Sequence, residues 1–149
     1  MRFKNIRARA AKRKGSDANL VKLLPKVSSQ QKLKTLGNDR YLAMMTKVVN
    51  QAGFNWKVIE NKWPEFEEAF FGFDPEKLAL VSPEQWEGYL SDRRVVRNGQ
   101  KINALQKNLF FVLEISREHG SFGSFVAGWP SSDQIGLMEY LKKHGGRLG

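Results

Sequence analysis

The sequence contains no cysteine, only two histidines and no long apolar run, and each absence removes a class of protein. Without cysteine there is no disulfide frame and no thiolate metal site, which suits a reducing cytoplasm. No stretch approaches the length of a helical membrane span, so a membrane is not an expected partner. The amino terminus is basic but lacks the apolar core of a secretory leader, so secretion is not expected. Strand-like alternation, internal repeats and low-complexity segments are missing as well. Acid is scarce in one region only. Residues 1–34 carry eleven basic side chains against the single acid Asp17, while the remainder balances fourteen against fourteen. The whole net charge of +10 therefore sits in an amino-terminal arm. A concentrated basic arm favours a polyanion, most simply nucleic acid, through counterion release; a solvated helix without a partner is the alternative.

What is present reads as helix throughout. Ser16 precedes a short helical stretch from Asp17 to Leu24 that Pro25 ends, and Ser28 or Ser29 caps the next, to about Thr35. Asn38 is placed to cap a segment from Asp39 to Ala52. In it Tyr41, Met44, Met45, Val48, Val49 and Ala52 recur at three- and four-residue intervals as an inward stripe. Gly53 breaks that pattern. Asn55 caps a helix from Trp56 to Trp63, and Pro64 suits the first position of another, with Glu65, Glu67 and Glu68 near its positive end. Asp74-Pro75 repeats cap and first-turn proline, and Ser82 with Gln85 has the spacing of a capping box. The longest helix runs from Gln100 to His119 with Ile102, Leu105, Leu109, Val112, Leu113 and Ser116 on one face, and Gly120 stops it. Further helices are predicted from Phe122 to Gly128 and from Asp133 to His144. At 149 residues the chain can bury one core. The expected fold class is all-α, a multi-helix bundle forming a single domain over residues 1–149.

Three short motifs lie on this framework: Gln51-Ala52-Gly53-Phe54-Asn55-Trp56, then Phe73-Asp74-Pro75, then Arg94 through Ile102, with Gly120-Ser121-Phe122 following. In that order and spacing they resemble the DNA-3-methyladenine glycosylase I family, helix-hairpin-helix base-excision enzymes that cut an alkylated purine from its sugar. The likeness covers residues 38–149. It implies a DNA glycosylase-like bundle acting on double-stranded DNA that contains alkylated purines, with no cofactor, as a monomer when complete. The start Arg9 to Gly15 resembles the opening helix of one branch of the family and reads as part of the mature protein. Family members continue past a helix like Gly136–His144 into a hairpin and a second helix. Here the sequence stops at Gly149, so the helix-hairpin-helix element is expected to be incomplete at the carboxy terminus, whether as a fragment or as a natural loss. Ile135, Met138, Leu141 and Leu148 would then lack packing partners, and the chain would be a weak glycosylase.

The resemblance also assigns a site. Trp56 matches the position that helps form the base pocket, and an aromatic wall suits N3-methyladenine because its positive charge is drawn to a π-face. Gln51, Gly53 and Phe54 match a loop that approaches the duplex, with Phe54 as the wedge that fills the gap left by the flipped base. Phe54 and Trp56 as ordinary core residues are the competing reading. Arg94, Arg97 and Lys101 form a basic cluster, joined by Arg93 and Lys107, beside a helix start at Asn98-Gly99 whose amides are suited to a phosphate; pairing with the acidic stretch Glu60–Glu87 is the alternative. Gly145, Gly146 and Arg147 resemble the hairpin entry, where glycines bring main-chain amides close to DNA. Two family features are absent. Val48 stands where many members have a base-recognising glutamate. The cysteine and histidine staple for zinc is missing, so no metal is expected, and His119 and His144 read as caps at helix ends. Asp74 reads as a cap and the glutamates of residues 60–87 as a solvated face, so no catalytic residue is named. A non-catalytic nucleic-acid-binding relative and a helical protein-interaction domain are the two other functions open at this stage.

Overall fold

The computed structural model describes residues 2–149, and every regular element among them is helical. The centre is α8 (Gly99–His119, counting in chain order), where Leu105, Leu109, Val112 and Ile115 are buried. Each such side chain contributes roughly 1.5–3 kcal/mol on leaving water. Against α8 lie α4 (Asn38–Gln51) and α9 (Phe122–Gly128). α5 (Trp56–Ala69) continues the chain from α4, α6 (Pro75–Ala79) packs on α8, and α7 (Pro83–Gly88) follows with Trp86 buried. α10 (Gln134–His144) packs its Leu137, Tyr140 and Leu141 on the core. Of the three amino-terminal helices, α3 (Gln30–Thr35) is bolted to α9. Tyr41 Oη donates to Leu33 O at 2.6 Å and Gln30 Nε2 to Ala127 O at 2.7 Å. The approach is so close that a Cβ on Gly123 would lie 2.5 Å from Leu33 O. α1 (Phe3–Arg13) and α2 (Asp17–Leu23) pack on each other as a hairpin.

Several local rules hold as written in the sequence. Ser16, Ser29, Asn55, Asp74 and Asp133 cap their helices, and Ser82 with Gln85 forms the reciprocal capping box. Others are overridden. Pro64 does not start a helix but lies inside α5, which runs through it. Asn38 does not cap α4, whose cap position is Gly37. Its amide instead donates to Ser116 Oγ at 2.9 Å and accepts from Phe122 N at 2.9 Å, tying α4 to α8 and to the start of α9. The inward face of α4 is Leu42, Met45, Thr46 and Val49, whereas Met44 and Val48 are exposed. The acidic stretch is not simply solvated: Glu60 pairs with Lys47, Glu65 with Lys62, Glu67 with Arg40 and Glu68 with Arg94.

Between α5 and α6, Phe71, Gly72 and Phe73 all adopt positive φ, of 55°, 65° and 58°. For the two phenylalanines this costs roughly 1–2 kcal/mol each. The surroundings hold it in place. Phe73 is fully buried, its ring stacked on Trp63 at 5.3 Å, and Arg40 Nη2 donates to Gly72 O at 2.8 Å. At the carboxy end Ile135 and Met138 are exposed as expected, but Leu141 and Leu148, also expected to lack partners, pack against the core.

Candidate functional site

α4 ends at Gln51, and the chain turns through Ala52, Gly53 and Phe54 before Asn55 opens α5. Phe54 N donates to Gln51 O at 3.1 Å, and Asn55 Oδ1 accepts from Lys57 N at 3.0 Å. Gly53 has φ +66° with nothing within 4 Å of a would-be Cβ, so the backbone conformation alone calls for glycine. Gly53→Ala is expected to cost about 1 kcal/mol by strain without a clash, read as a small drop in thermal midpoint with unchanged helicity.

The two aromatics of the turn face solvent. Trp56, the first residue of α5, is 66% exposed and Phe54 44%, so neither is the core residue that the bland reading required. Large apolar rings left in water on a constrained turn are available to a partner. Gln51, by contrast, is buried, with Nε2 3.4 Å from Glu60 Oε1. Lys47 Nζ reaches the same carboxylate oxygen at 3.0 Å and lies 5.4 Å from the centre of the Trp63 ring.

Lys101 pins this turn from a distance. Its ammonium is buried and donates to Asn50 O at 2.8 Å and Ala52 O at 3.2 Å, the open carbonyls at the end of α4. It also lies 5.3 Å from the centre of the Phe54 ring. Burial, with a smaller push from Arg147, holds the Lys101 ammonium below the usual lysine range. Two of its three donors are spent inside the protein, so the structure gives it a holding position rather than the phosphate-facing one read from the sequence.

The other basic candidates divide. Arg94 is engaged internally: Nη2 donates to Asp92 Oδ2 at 2.8 Å, and Nη1 lies 3.5 Å from Glu68. That hydrogen bonding holds the Asp92 carboxyl below its ordinary range. A depressed carboxylate pKa contributes stability above the ordinary value and loses it as pH falls through the folded value. Arg94→Gln is therefore expected to lower the thermal midpoint only slightly at neutral pH, because the pair is solvent-screened. The difference from wild type should shrink as pH falls from the ordinary aspartate range and be lost once the depressed folded value is passed, as followed by thermal midpoints across pH. Arg97 is exposed and makes no ion pair among the described residues. The amides expected to meet a phosphate at this helix start are taken, since Asn98 Oδ1 accepts from Gln100 N and Lys101 N.

Gly145 and Gly146 are buried rather than offered to DNA. Gly145 N donates to Leu141 O at 2.8 Å and Gly146 N to Asn108 Oδ1 at 2.6 Å, while Asn108 Nδ2 returns a bond to Gly146 O at 3.0 Å. A Cβ on Gly146 would sit 2.9 Å from Ala104 O, so its smallness serves packing against α8. Arg147, at φ +58°, is exposed and donates to Gln100 Oε1. The Phe73-Asp74-Pro75 motif is structural on this geometry: Asp74 Oδ1 accepts from Glu76 N and Lys77 N as a helix cap. The two histidines end α8 and α10, with rings against Phe125 and Tyr140 respectively.

The family model described as methyladenine glycosylase matches residues 34–143. The chain is similar to DNA-3-methyladenine glycosylase 1 of Escherichia coli strain K12, 30% identical over 76 residues, or 51% of this chain and 41% of that protein. It is similar to the Haemophilus influenzae DNA-3-methyladenine glycosylase at 28% over the same length and shares. The chain thus spans less than half the length of these curated relatives in the match. Its fold is like that of the Staphylococcus aureus 3-methyladenine DNA glycosylase I structure, which concerns 3-methyladenine recognition. There the TM-score is 0.64 at 23% identity, covering 75% of this chain and 69% of that one.

Proposed function

The chain belongs to the methyladenine glycosylase family, and on that premise we propose that it removes 3-methyladenine from alkylated double-stranded DNA. The base is rotated out of the stack and the N-glycosidic bond is hydrolysed. The observation that carries this reading is the pair of exposed rings, Phe54 and Trp56, on a turn whose backbone is pinned by Lys101. A rigid aromatic platform is what a flipped base needs, and a cationic base gains more from it than a neutral one. Trp56 stacks on the base and Phe54 enters the vacated step. Gly53 keeps the turn slim where the duplex approaches, and Gln51, held at Glu60, supports the turn from beneath.

The chemistry asks little of an acid. N3-methyladenine in DNA carries a positive charge, so its departure leaves a neutral base and needs no proton donor. Water adds at the sugar C1′ and gives up one proton to solvent, leaving an abasic site. No side chain is assigned as catalytic, and no cofactor enters the reaction. On the duplex backbone, Arg97 is the side chain we place against a phosphate, with Arg147 beside the last helix. Arg94 joins them only where a phosphate displaces Asp92, and Lys101 acts through the turn. Monomeric behaviour and a cytoplasmic location with the DNA belong to the same reading.

The test is single-turnover release of free 3-methyladenine from alkylated duplex. Release faster than the uncatalysed rate and lost on Trp56→Ala supports the enzyme. No release, with a retained preference for methylated over unmethylated duplex, assigns the chain to the non-catalytic binders instead.

A further inference from the structure

Most of the excess positive charge, eight basic side chains against Asp17 in residues 2–23, lies outside the segment that the family model matches, on the α1–α2 hairpin, which is a small built unit. Gly15 turns the chain at φ +88°. Arg7 pairs with Asp17 through two bonds of 2.9 and 2.8 Å, and Asn19 Nδ2 donates to Lys14 O at 3.2 Å. Ala10 and Leu20, both partly buried, meet in the groove between the helices. From Arg2 to Lys14 there are seven basic residues and no acid. They do not share one face: Lys4 and Arg13 are separated by about two and a half helical turns and so point to opposite sides. A helix that lies in a membrane interface keeps one broad face free of charge, and α1 has none wider than the strip Phe3, Ile6 and Ala10. Charge on every side, in contrast, suits a helix lying along a phosphate backbone.

The hairpin joins the core through residues 24–29, which at full extension span about 20 Å. The anchor at the far end is α3, fixed on α9. We propose that the α1–α2 hairpin is a second, sequence-independent clamp on the DNA phosphate backbone, tethered so that it grips the same duplex that the core engages. Its short tether makes its contact intramolecular once the core is bound, at an effective concentration in the millimolar range. It rests on the reading of the core as a DNA-binding glycosylase, but it is read out separately, because the clamp ignores methylation.

The test substitutes Arg2, Lys4, Lys12 and Arg13 together by glutamine in the full chain, leaving the Arg7–Asp17 pair intact. Binding to an unmethylated duplex is then followed across salt concentration. The slope of log K against log salt should fall by about two units, since side chains on opposite sides of one helix do not all meet phosphates at once, and affinity at about 0.1 M salt should drop at least tenfold. Any preference for a methylated duplex should be unchanged. A control carrying Arg2→Lys and Arg13→Lys should keep the wild-type slope. An unchanged slope in the glutamine variant overturns the clamp, as does an equal loss in the lysine control, which would mark a structural effect. Binding to vesicles containing anionic phospholipid that disappears in the glutamine variant, while duplex binding persists, assigns the hairpin to a lipid surface instead. If the wild type shows no preference for methylated duplex, the core reading fails while the salt slope still decides the clamp.

Discussion

Trp56→Ala is expected to reduce the preference for a duplex carrying N3-methyladenine over the same duplex without it by about fivefold to 150-fold. That range follows from about 1–3 kcal/mol for one base stacked on one aromatic ring. Affinity for the unmethylated duplex should change little, because an unflipped base never meets the ring. Thermal stability should also change little, since Trp56 is 66% exposed and its removal opens no cavity. Equilibrium binding to the two duplexes, with a melting curve for each protein, checks all three statements. Equal losses on both duplexes together with a lowered melting temperature would make Trp56 a packing residue.

The second large effect is expected at Lys101. Replacing it by methionine keeps the stem but removes the donor to Asn50 O and Ala52 O. Charged hydrogen bonds to carbonyls with no other helical partner are strong, so a loss of about 3 kcal/mol in folding stability is expected. The turn that carries Phe54 and Trp56 should loosen, and the preference for methylated duplex should fall with it. The salt slope of duplex binding should not change, because a lysine turned inward neutralises no phosphate. A slope reduced by about one unit with full stability would return Lys101 to the phosphate-contacting role suggested by its place in the sequence.

These two residues mark where the sequence was readable and where it was not. The turn itself was legible: a glycine between two helical patterns, an asparagine cap and two aromatics need only local rules, and they sit where those rules put them. The helix starts were legible for the same reason, since a cap and its partner lie two or three residues apart. The holding role of Lys101 was not, because its acceptors are 51 and 49 residues away. Nor was Asn108, fully buried and clipped to Gly146 across 38 residues. In sequence both look like polar side chains bound for solvent. The inward face of α4 was misread for a related reason. Thr46 and Asn50 are buried because they return their donors to Leu42 O and Thr46 O at 2.8 Å each, which lets polar residues occupy the face that hydrophobicity alone gives to Met44 and Val48. The glycines near the end show the opposite error. Their small size suggests room for a phosphate, whereas in the fold Gly146 makes room for α8 and Gly145 for Leu148 and the end of α10.

The claim at the centre of this account is that the turn after α4 receives a methylated base on the face of Trp56. The most direct measurement is fluorine NMR on protein containing 5-fluorotryptophan, in which Trp56, Trp63, Trp86 and Trp129 give four signals and Trp56→Phe identifies the one in question. Addition of a duplex with a single N3-methyladenine should shift the Trp56 signal strongly, leave those of the three other tryptophans nearly in place, and do neither when the duplex is unmethylated. A Trp56 signal that stays put, or that moves equally with both duplexes, would contradict the account.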